Sequence, residues 1–201
     1  MTANRDRKLG KALSYLLRHG LDEVPYDRGG WVLLQDLQRH PSCRHQDVEA
    51  FQRVVTNDNK GRFELVGGKI RAVQGHKAGL NLDPALLGQT PILSEQQLGQ
   101  AEIVHGTYVG AWDAIVRSGC VKPMEREHVH FARATPEAGV VSVARSDADV
   151  FIWVSVKQLL ESGAKLMESR NGVLLVAGEV PTSCISRAVA AQGVVLAHSF
   201  I

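Results

Sequence analysis

Four small groups of residues carry side chains suited to gripping a phosphate or a sugar. Arg18-His19 follows a leucine-rich stretch and precedes Gly20. Arg71 sits within Ile70-Arg71-Ala72-Val73-Gln74-Gly75-His76. An arginine fork bonds two phosphate oxygens at once, so Arg18, His19 and Arg71 together would make an anion clamp. Each also has a plainer reading. Two cations relieve the partial negative charge at a helix C-terminus, and an arginine on a strand can simply be solvated. The third group is His105-Gly106-Thr107, where a residue without a side chain lets a ligand approach the backbone between two hydrogen-bonding neighbours. The fourth is Met124-Glu125-Arg126-Glu127-His128-Val129-His130. On a strand, His128 and His130 point to one face, and Arg126 joins them if the strand reaches back that far.

His105, His128 and His130 also have the ligand type of a catalytic zinc site with an open position. No cysteine or carboxylate is obviously placed to complete that shell, and Arg126 beside a dication is electrostatically awkward. No metal is expected. The sequence contains neither a G-x-x-x-x-G-K-[ST] phosphate loop nor a G-x-G-x-x-G turn, so nothing predicts a Rossmann-type nucleotide site. The residues alone reach two lobes, one basic and one rich in histidine and arginine, acting on a phosphate-bearing ligand.

The elements that must hold these groups are partly legible. Leu9, Leu13, Leu16 and Leu17 recur at helical spacing and predict a helix over residues 7–19, with Arg18 and His19 in its last turn. After Gly29-Gly30, a short strand at Trp31–Leu33 and a helical turn at Leu34–Arg39 are expected. Val48, Phe51, Val54 and Val55 predict a helix at about Gln46–Asn57. Arg62–Val66, Gly67-Gly68 and Lys69–Val73 read as a hairpin, with Arg71 on the face opposite Ile70 and Ala72. Helices followed by a hairpin suggest a winged-helix lobe. Such lobes also serve as protein-interaction modules. Residues 77–100 are rich in Pro, Gly and Gln and read as linker-like. Beyond them, strands are expected at Ile103-Val104, Val129–Ala132, Val150–Val156 and Val173–Val176, and a helix at Ala111–Ser118. The second lobe is therefore mixed α+β, and Val150–Val156 reads as a central buried strand.

Of 201 residues, 44% are apolar, enough for one good core or two small ones. The net charge is only +2, but it is unevenly spread. Residues 1–80 carry 14 Lys and Arg against 9 Asp and Glu; residues 81–201 carry 9 against 12. An anionic partner would meet the first half. Cys43, Cys120 and Cys184 form no paired motif, which speaks against a disulfide scaffold and for a reducing compartment. The sequence has no long apolar run and no signal-peptide core, so a cytoplasmic location is expected, or a nuclear one in a eukaryotic host.

The groups lie within strings that resemble one family, the RNA 2′-phosphotransferases of the KptA type. The strings are LSYLLRHG (Leu13–Gly20), GGWVLLQDL (Gly29–Leu37), VVTNDNKGRFEL (Val54–Leu65), IRAVQGH (Ile70–His76), VHGT (Val104–Thr107), MEREHVHF (Met124–Phe131) and SRNGVLL (Ser169–Leu175). They follow the family's order over nearly the whole chain. Lys77 departs from the serine common there, and Glu137–Arg145 is a loose match. The resemblance implies a winged-helix RNA-binding lobe over 1–85, a linker over 86–100, and an ADP-ribosyltransferase-like lobe over 101–201 that binds NAD. It implies a two-step reaction. An internal RNA 2′-phosphate attacks the nicotinamide ribose of NAD and expels nicotinamide, giving a 2′-phospho-ADP-ribosylated RNA. Transesterification then frees 2′-hydroxyl RNA and ADP-ribose 1″,2″-cyclic phosphate, as in tRNA splicing.

By the same resemblance Arg18, His19 and Arg71 would hold the 2′-phosphate, and Arg126 would favour the phosphate-transfer step. His105, Gly106 and Thr107 would take the nicotinamide-ribose end of NAD. His128, His130 and the Ser169–Asn171–Gly172 loop would line the rest of its site, in a cleft between the lobes. The partner is a tRNA-like RNA bearing an internal 2′-phosphate; no membrane is implied, and a monomer is expected. Three other functions stay open on the residues. These are an ADP-ribosyltransferase acting on nucleic-acid terminal phosphates, a zinc hydrolase built on the three histidines, and a winged-helix regulator without catalysis.

Overall fold

The computed structural model describes residues 2–133, 148–190 and 193–198. Residues Glu137–Arg145, the loosely matching segment, lie outside them. The chain divides into two compact units, residues 1–89 and 90–201.

In the first unit, helix α1 (Thr2–Leu16) packs Leu9, Leu13 and Leu16 against helix α3 (Val48–Thr56), which contributes Ala50, Phe51 and Val54. Asp47 caps α3, its Oδ1 accepting the Ala50 amide at 2.7 Å. Strand β1 (Val32–Leu33) runs directly into helix α2 (Leu34–Arg39). Strands β2 (Phe63–Val66) and β3 (Lys69–Ala72) form the expected hairpin, and the sheet order is β1-β3-β2. Gly67 and Gly68 turn it at φ values of 55° and 75°, a pair of left-handed positions that side chains resist. Val32, Phe63, Ile70 and Ala72 face the helices and close the core.

The second unit is mixed α/β. Its strands are β4 (Thr90–Ile92), β5 (Glu102–Thr107), β6 (Cys120–Val121), β7 (His128–Arg133), β8 (Val150–Ser155), β9 (Leu166–Glu168), β10 (Leu174–Ala177), β11 (Val180–Pro181), β12 (Ile185–Ala190) and β13 (Val195–His198). Eight of them form one antiparallel sheet in the order β13-β12-β8-β5-β7-β10-β9-β4, and β11 pairs with β6. Helices α4 (Glu95–Leu98), α5 (Val109–Ser118) and α6 (Val156–Glu161) complete the unit. One sheet face carries Ile103, Val129, Phe131, Ile152, Val154 and Leu174, packed with Trp112 and Ile115 of α5 and Leu159 of α6.

The sequence expectations hold for the helices near 2–16, 48–56 and 109–118 and for the hairpin, with shifted ends. Three differences have physical reasons. Arg18 and His19 lie in turns beyond α1 rather than within it, because the Tyr15 carbonyl accepts the amides of Arg18, His19 and Gly20 and closes the helix early. The Val150–Val156 run is a strand only to Ser155, whose hydroxyl accepts the Gln158 amide and starts α6. It does lie inside the sheet, between β12 and β5, but Phe151 and Trp153 are only half-buried. Residues 86–100, read as linker, bury Leu87, Ile92 and Leu98 and carry β4 and α4, the latter held by a Ser94–Gln97 capping box.

Phe51 is fully enclosed between α1 and the hairpin. Phe51→Ala should therefore lower stability by about 3–5 kcal/mol. Val48→Ala, on the exposed side of the same helix, should change it by less than about 0.5 kcal/mol. Denaturant unfolding of the two variants checks the contrast; equal losses would place the core elsewhere.

Candidate active site

Arg18 is buried although its side chain is charged. Its backbone is fixed from both sides: the amide donates to the Tyr15 carbonyl at 3.2 Å, and the carbonyl accepts the Lys77 amide at 2.8 Å. Its guanidinium lies against Gly75, where a Cβ would meet Arg18 Cζ and Nε at 3.3 Å. Gly75 stands at φ 86°, so both backbone strain and close approach reserve the position for glycine. Gln74 and His76 beside it are buried as well. The first unit thus gathers Arg18 and the Gln74–Gly75–His76 run. Neither Gln74 nor His76 is among the site residues assigned above. The available signal was two polar residues flanking a glycine just past a strand end. His19, half-exposed, stacks its ring on Tyr15 at 6.3 Å between centroids.

Arg71 is not a solvated arginine. It is 2% exposed. Its Nε donates to Glu64 Oε2 at 2.7 Å, directly across the hairpin. Its Nη1 donates to the carbonyls of Gly29 at 3.0 Å and Leu86 at 2.6 Å, and its Cζ lies 4.4 Å from the centre of the Trp31 ring. The predicted face is right, opposite Ile70 and Ala72, but that face is covered. Arg71 ties the hairpin to the Gly29 and Leu86 segments.

Arg62, quoted above only as part of a string, is the hairpin arginine with an accessible side chain, 37% exposed. Its amide donates to Asp58 in a short bond, and its guanidinium holds the same carboxylate at 2.8 Å. Its carbonyl accepts the Val73 amide at 3.0 Å. Arg62 therefore stands opposite the residue two places before Gly75, on which Arg18 packs.

In the second unit the pairing register decides which histidines share a face. His105 lies opposite Ile152, on the core side of the sheet, and its ring is 5.6 Å from Phe131. His128 and His130 lie opposite Ala177 and Leu175, on the other side. The sequence could not show this, because parity within one strand says nothing about the neighbouring strand until the register is known. The three histidines are not brought together, and no group of three or more His, Cys, Asp or Glu suited to a metal occurs among the described residues. His105 Nδ1 lies 2.9 Å from the His130 carbonyl, which can only accept, so Nδ1 carries the proton. Gly106 is half-exposed and Thr107 buried. The Thr107 carbonyl accepts the Asp149 amide at 3.0 Å, and Asp149 Oδ1 accepts the Val109 amide at 2.8 Å at the start of α5.

Arg126, half-exposed, precedes β7 by two residues, so its direction follows the Pro123–Arg126 turn rather than the strand. Glu127 next to it is half-buried, and burial raises its carboxyl above the usual range. Burial likewise holds the His128 imidazole below its ordinary range. Ser169, Asn171 and Gly172 build the β9–β10 turn. Ser169 Oγ lies 2.8 Å from both Asn171 Oδ1 and the Val173 carbonyl, and Gly172 supplies φ 77°. Burial pushes the Cys43 thiol up to about 11, which leaves it a buried apolar residue rather than a nucleophile.

Residues 4–178 match the family described as RNA 2′-phosphotransferase, Tpt1 / KptA. The chain is 34% identical to tRNA 2′-phosphotransferase 1 of Danio rerio, over 88% of this chain and 80% of that protein. It is 33% identical to the tRNA 2′-phosphotransferase of Saccharomyces cerevisiae, over 92% and 84%. A protein of Rhizobium johnstonii named "Probable RNA 2′-phosphotransferase" is 32% identical, over 93% and 97%.

Removing Arg71 would take away the Glu64 ion pair and the donor that the Gly29 and Leu86 carbonyls share, so Arg71→Ala should cost on the order of 3 kcal/mol of stability, read by denaturant unfolding. A fully stable variant would show that the network is dispensable. His128 contributes in a defined pH window. Its folded pKa lies below that of the unfolded chain, so the unfolded state takes the proton first. Stability should be complete above about pH 6.5 and decline as the pH falls from there. His128→Gln should flatten that part of the stability–pH curve; an unchanged slope would assign it to other groups.

Proposed function

The chain belongs to the RNA 2′-phosphotransferase, Tpt1 / KptA family, and from that premise we propose that it removes an internal 2′-phosphate from tRNA-like RNA in two NAD-dependent steps. The observation that carries the reading is Arg18, buried and packed on Gly75, with His19 beside it in the same turn. Such a pair has a purpose chiefly where an anion must be held. In this reading residues 1–85 are a winged-helix RNA lobe and 101–201 an ADP-ribosyltransferase-like lobe.

NAD would supply an electrophilic ribose carbon with nicotinamide as leaving group. The groups around the end of β5 suit it: His105, its Nδ1 proton spent on the His130 carbonyl, would meet a ribose hydroxyl through Nε2, and Gly106 and Thr107 would add backbone and hydroxyl groups. His128, His130 and the Ser169–Asn171–Gly172 turn would line the remainder. The 2′-phosphate is already an anion when it attacks, so it needs positioning more than deprotonation. Arg18 and His19 provide that. The hairpin cation that joins them is Arg62 rather than Arg71. Arg62 keeps an accessible guanidinium and stands across from the Gly75 segment, whereas the Arg71 fork already holds Glu64 and two carbonyls. Arg71 is then a positioning residue. In the second step charge builds on the phosphate oxygens, and Arg126 would answer it.

The test is an incubation with RNA carrying one internal 2′-phosphate, with and without NAD. The expected outcome is NAD-dependent 2′-hydroxyl RNA together with ADP-ribose 1″,2″-cyclic phosphate. No conversion by folded, RNA-binding protein would sink the reading. Arg18→Ala and Arg62→Ala should each lower turnover on the order of 10²–10³-fold. Arg126→Ala should accumulate ADP-ribosylated RNA, and an Arg126 variant that completes the reaction would remove it from the second step. RNA affinity should fall as salt rises.

A further inference from the structure

We propose that the solvent face of α1 is the path of the single-stranded RNA adjoining the 2′-phosphate, with Lys8 and Lys11 on backbone phosphates and Tyr15 stacked on a base. This rests on the function proposed above. At 100° per residue, Lys8, Lys11 and Tyr15 form one stripe, since their spacings of three and four keep them on one side of the helix, and His19, in the turn beyond α1, stacks on Tyr15. Leu9, Leu13, Leu16 and Leu17 occupy the buried side. From Lys8 to Tyr15 the ridge covers roughly 10 Å, and it runs straight into Arg18-His19.

Three observations favour RNA as the occupant. First, Tyr15 is 55% exposed, a large aromatic left in water on a helix with no shortage of core positions. Its ring stacks on His19 at an interplanar angle of 28°, and its carbonyl organises the turn holding Arg18 and His19. A base on Tyr15 would therefore sit in a fixed relation to the phosphate-holding residues. Second, Lys8 and Lys11 are exposed, and among the described residues neither forms an ion pair with a carboxylate. The acid of this helix, Asp6, is taken by Arg53 at 3.3 Å. Third, cations in line with an aromatic platform are the chemistry of single-strand binding, because a base of any sequence offers a π-face. A clamp for one phosphate cannot tell an RNA 2′-phosphate from a free phosphate. The ridge supplies contacts that only a polynucleotide can make.

The experiment uses the full chain and two substrates carrying an internal 2′-phosphate: a single-stranded RNA of roughly ten nucleotides and a dinucleotide. Equilibrium binding is measured without NAD, so the ridge is read apart from turnover. Lys8→Gln with Lys11→Gln should raise KM for the longer RNA about tenfold at constant kcat. It should raise KM much less for the dinucleotide and reduce the log–log salt slope of binding by about 1.4, roughly 0.7 per phosphate. Tyr15→Ala should weaken binding of the longer RNA about tenfold, and Tyr15→Trp should restore it. Unchanged affinity in all these variants would overturn the proposal. A kcat loss in Tyr15→Ala on both substrates with binding intact would mean that Tyr15 only holds His19, which overturns the stacking. Lysine effects without any Tyr15 effect would overturn the stacking and leave phosphate contacts alone on the ridge. If the unaltered protein converted neither substrate, the proposed function would fail, while the binding data would still decide the ridge.

Discussion

Arg71 carries a full positive charge at 2% exposure, and the first unit depends on how that charge is answered. A guanidinium out of water needs its donors and its charge met together, or the burial costs more than the fold can return. Glu64 meets the charge across the hairpin, the Gly29 and Leu86 carbonyls take Nη1, and the Trp31 face covers the plane. Those partners come from three separate stretches of chain. One side chain thus fixes the hairpin, the turn before β1 and the segment after the hairpin in a single arrangement. The Gln74–Gly75–His76 run continues directly from β3, so its position against Arg18 is inherited from that arrangement.

The second unit is organised by register. Its eight-stranded sheet has a face of apolar residues packed on α5 and α6, and every alternate residue is forced to the opposite face. This sorts the histidines. His105 shares the core side with Phe131, while His128 and His130 share the other side with Leu175 and Ala177. A one-residue slip between β5 and β7 would put all three together and rebuild the zinc-like triad. The apolar pattern forbids that slip, because it would move Phe131 and Val129 out of the core.

How much of this could be read from the sequence follows from the range of each interaction. The helices α1 and α3 and the Gly67-Gly68 hairpin were legible, because spacing and turn chemistry are local. Arg71 was placed on the correct face, yet the sequence could not show that Gly29, Trp31 and Leu86 close over it, since those contacts join residues as far as 42 positions apart. The short strands β6, β9 and β11 went unread because two or three residues carry no period. Residues 86–100 looked like linker because their Pro, Gly and Gln content hides three buried apolar side chains, Leu87, Ile92 and Leu98. The candidate site residues rest mainly on the order of seven strings, and Arg62 shows what strings leave out: a residue inside a matching string is invisible as chemistry until its side chain is placed.

Arg71 and Arg62 lie nine residues apart on one hairpin, and the contrast between them has a physical logic. An arginine that must grip a moving phosphate has to keep donors where the phosphate arrives, so it can be oriented by an acid but not enclosed. Asp58 holds Arg62 through its amide and one edge of its guanidinium while leaving the side chain 37% exposed. Enclosure does the opposite. Once two carbonyls and a carboxylate occupy the fork, releasing it for a ligand would break an ion pair and two hydrogen bonds at a guanidinium that is 2% exposed. Whether an arginine serves the scaffold or the substrate is therefore decided by what closes over it, and on this hairpin the turn before β1 closes over Arg71.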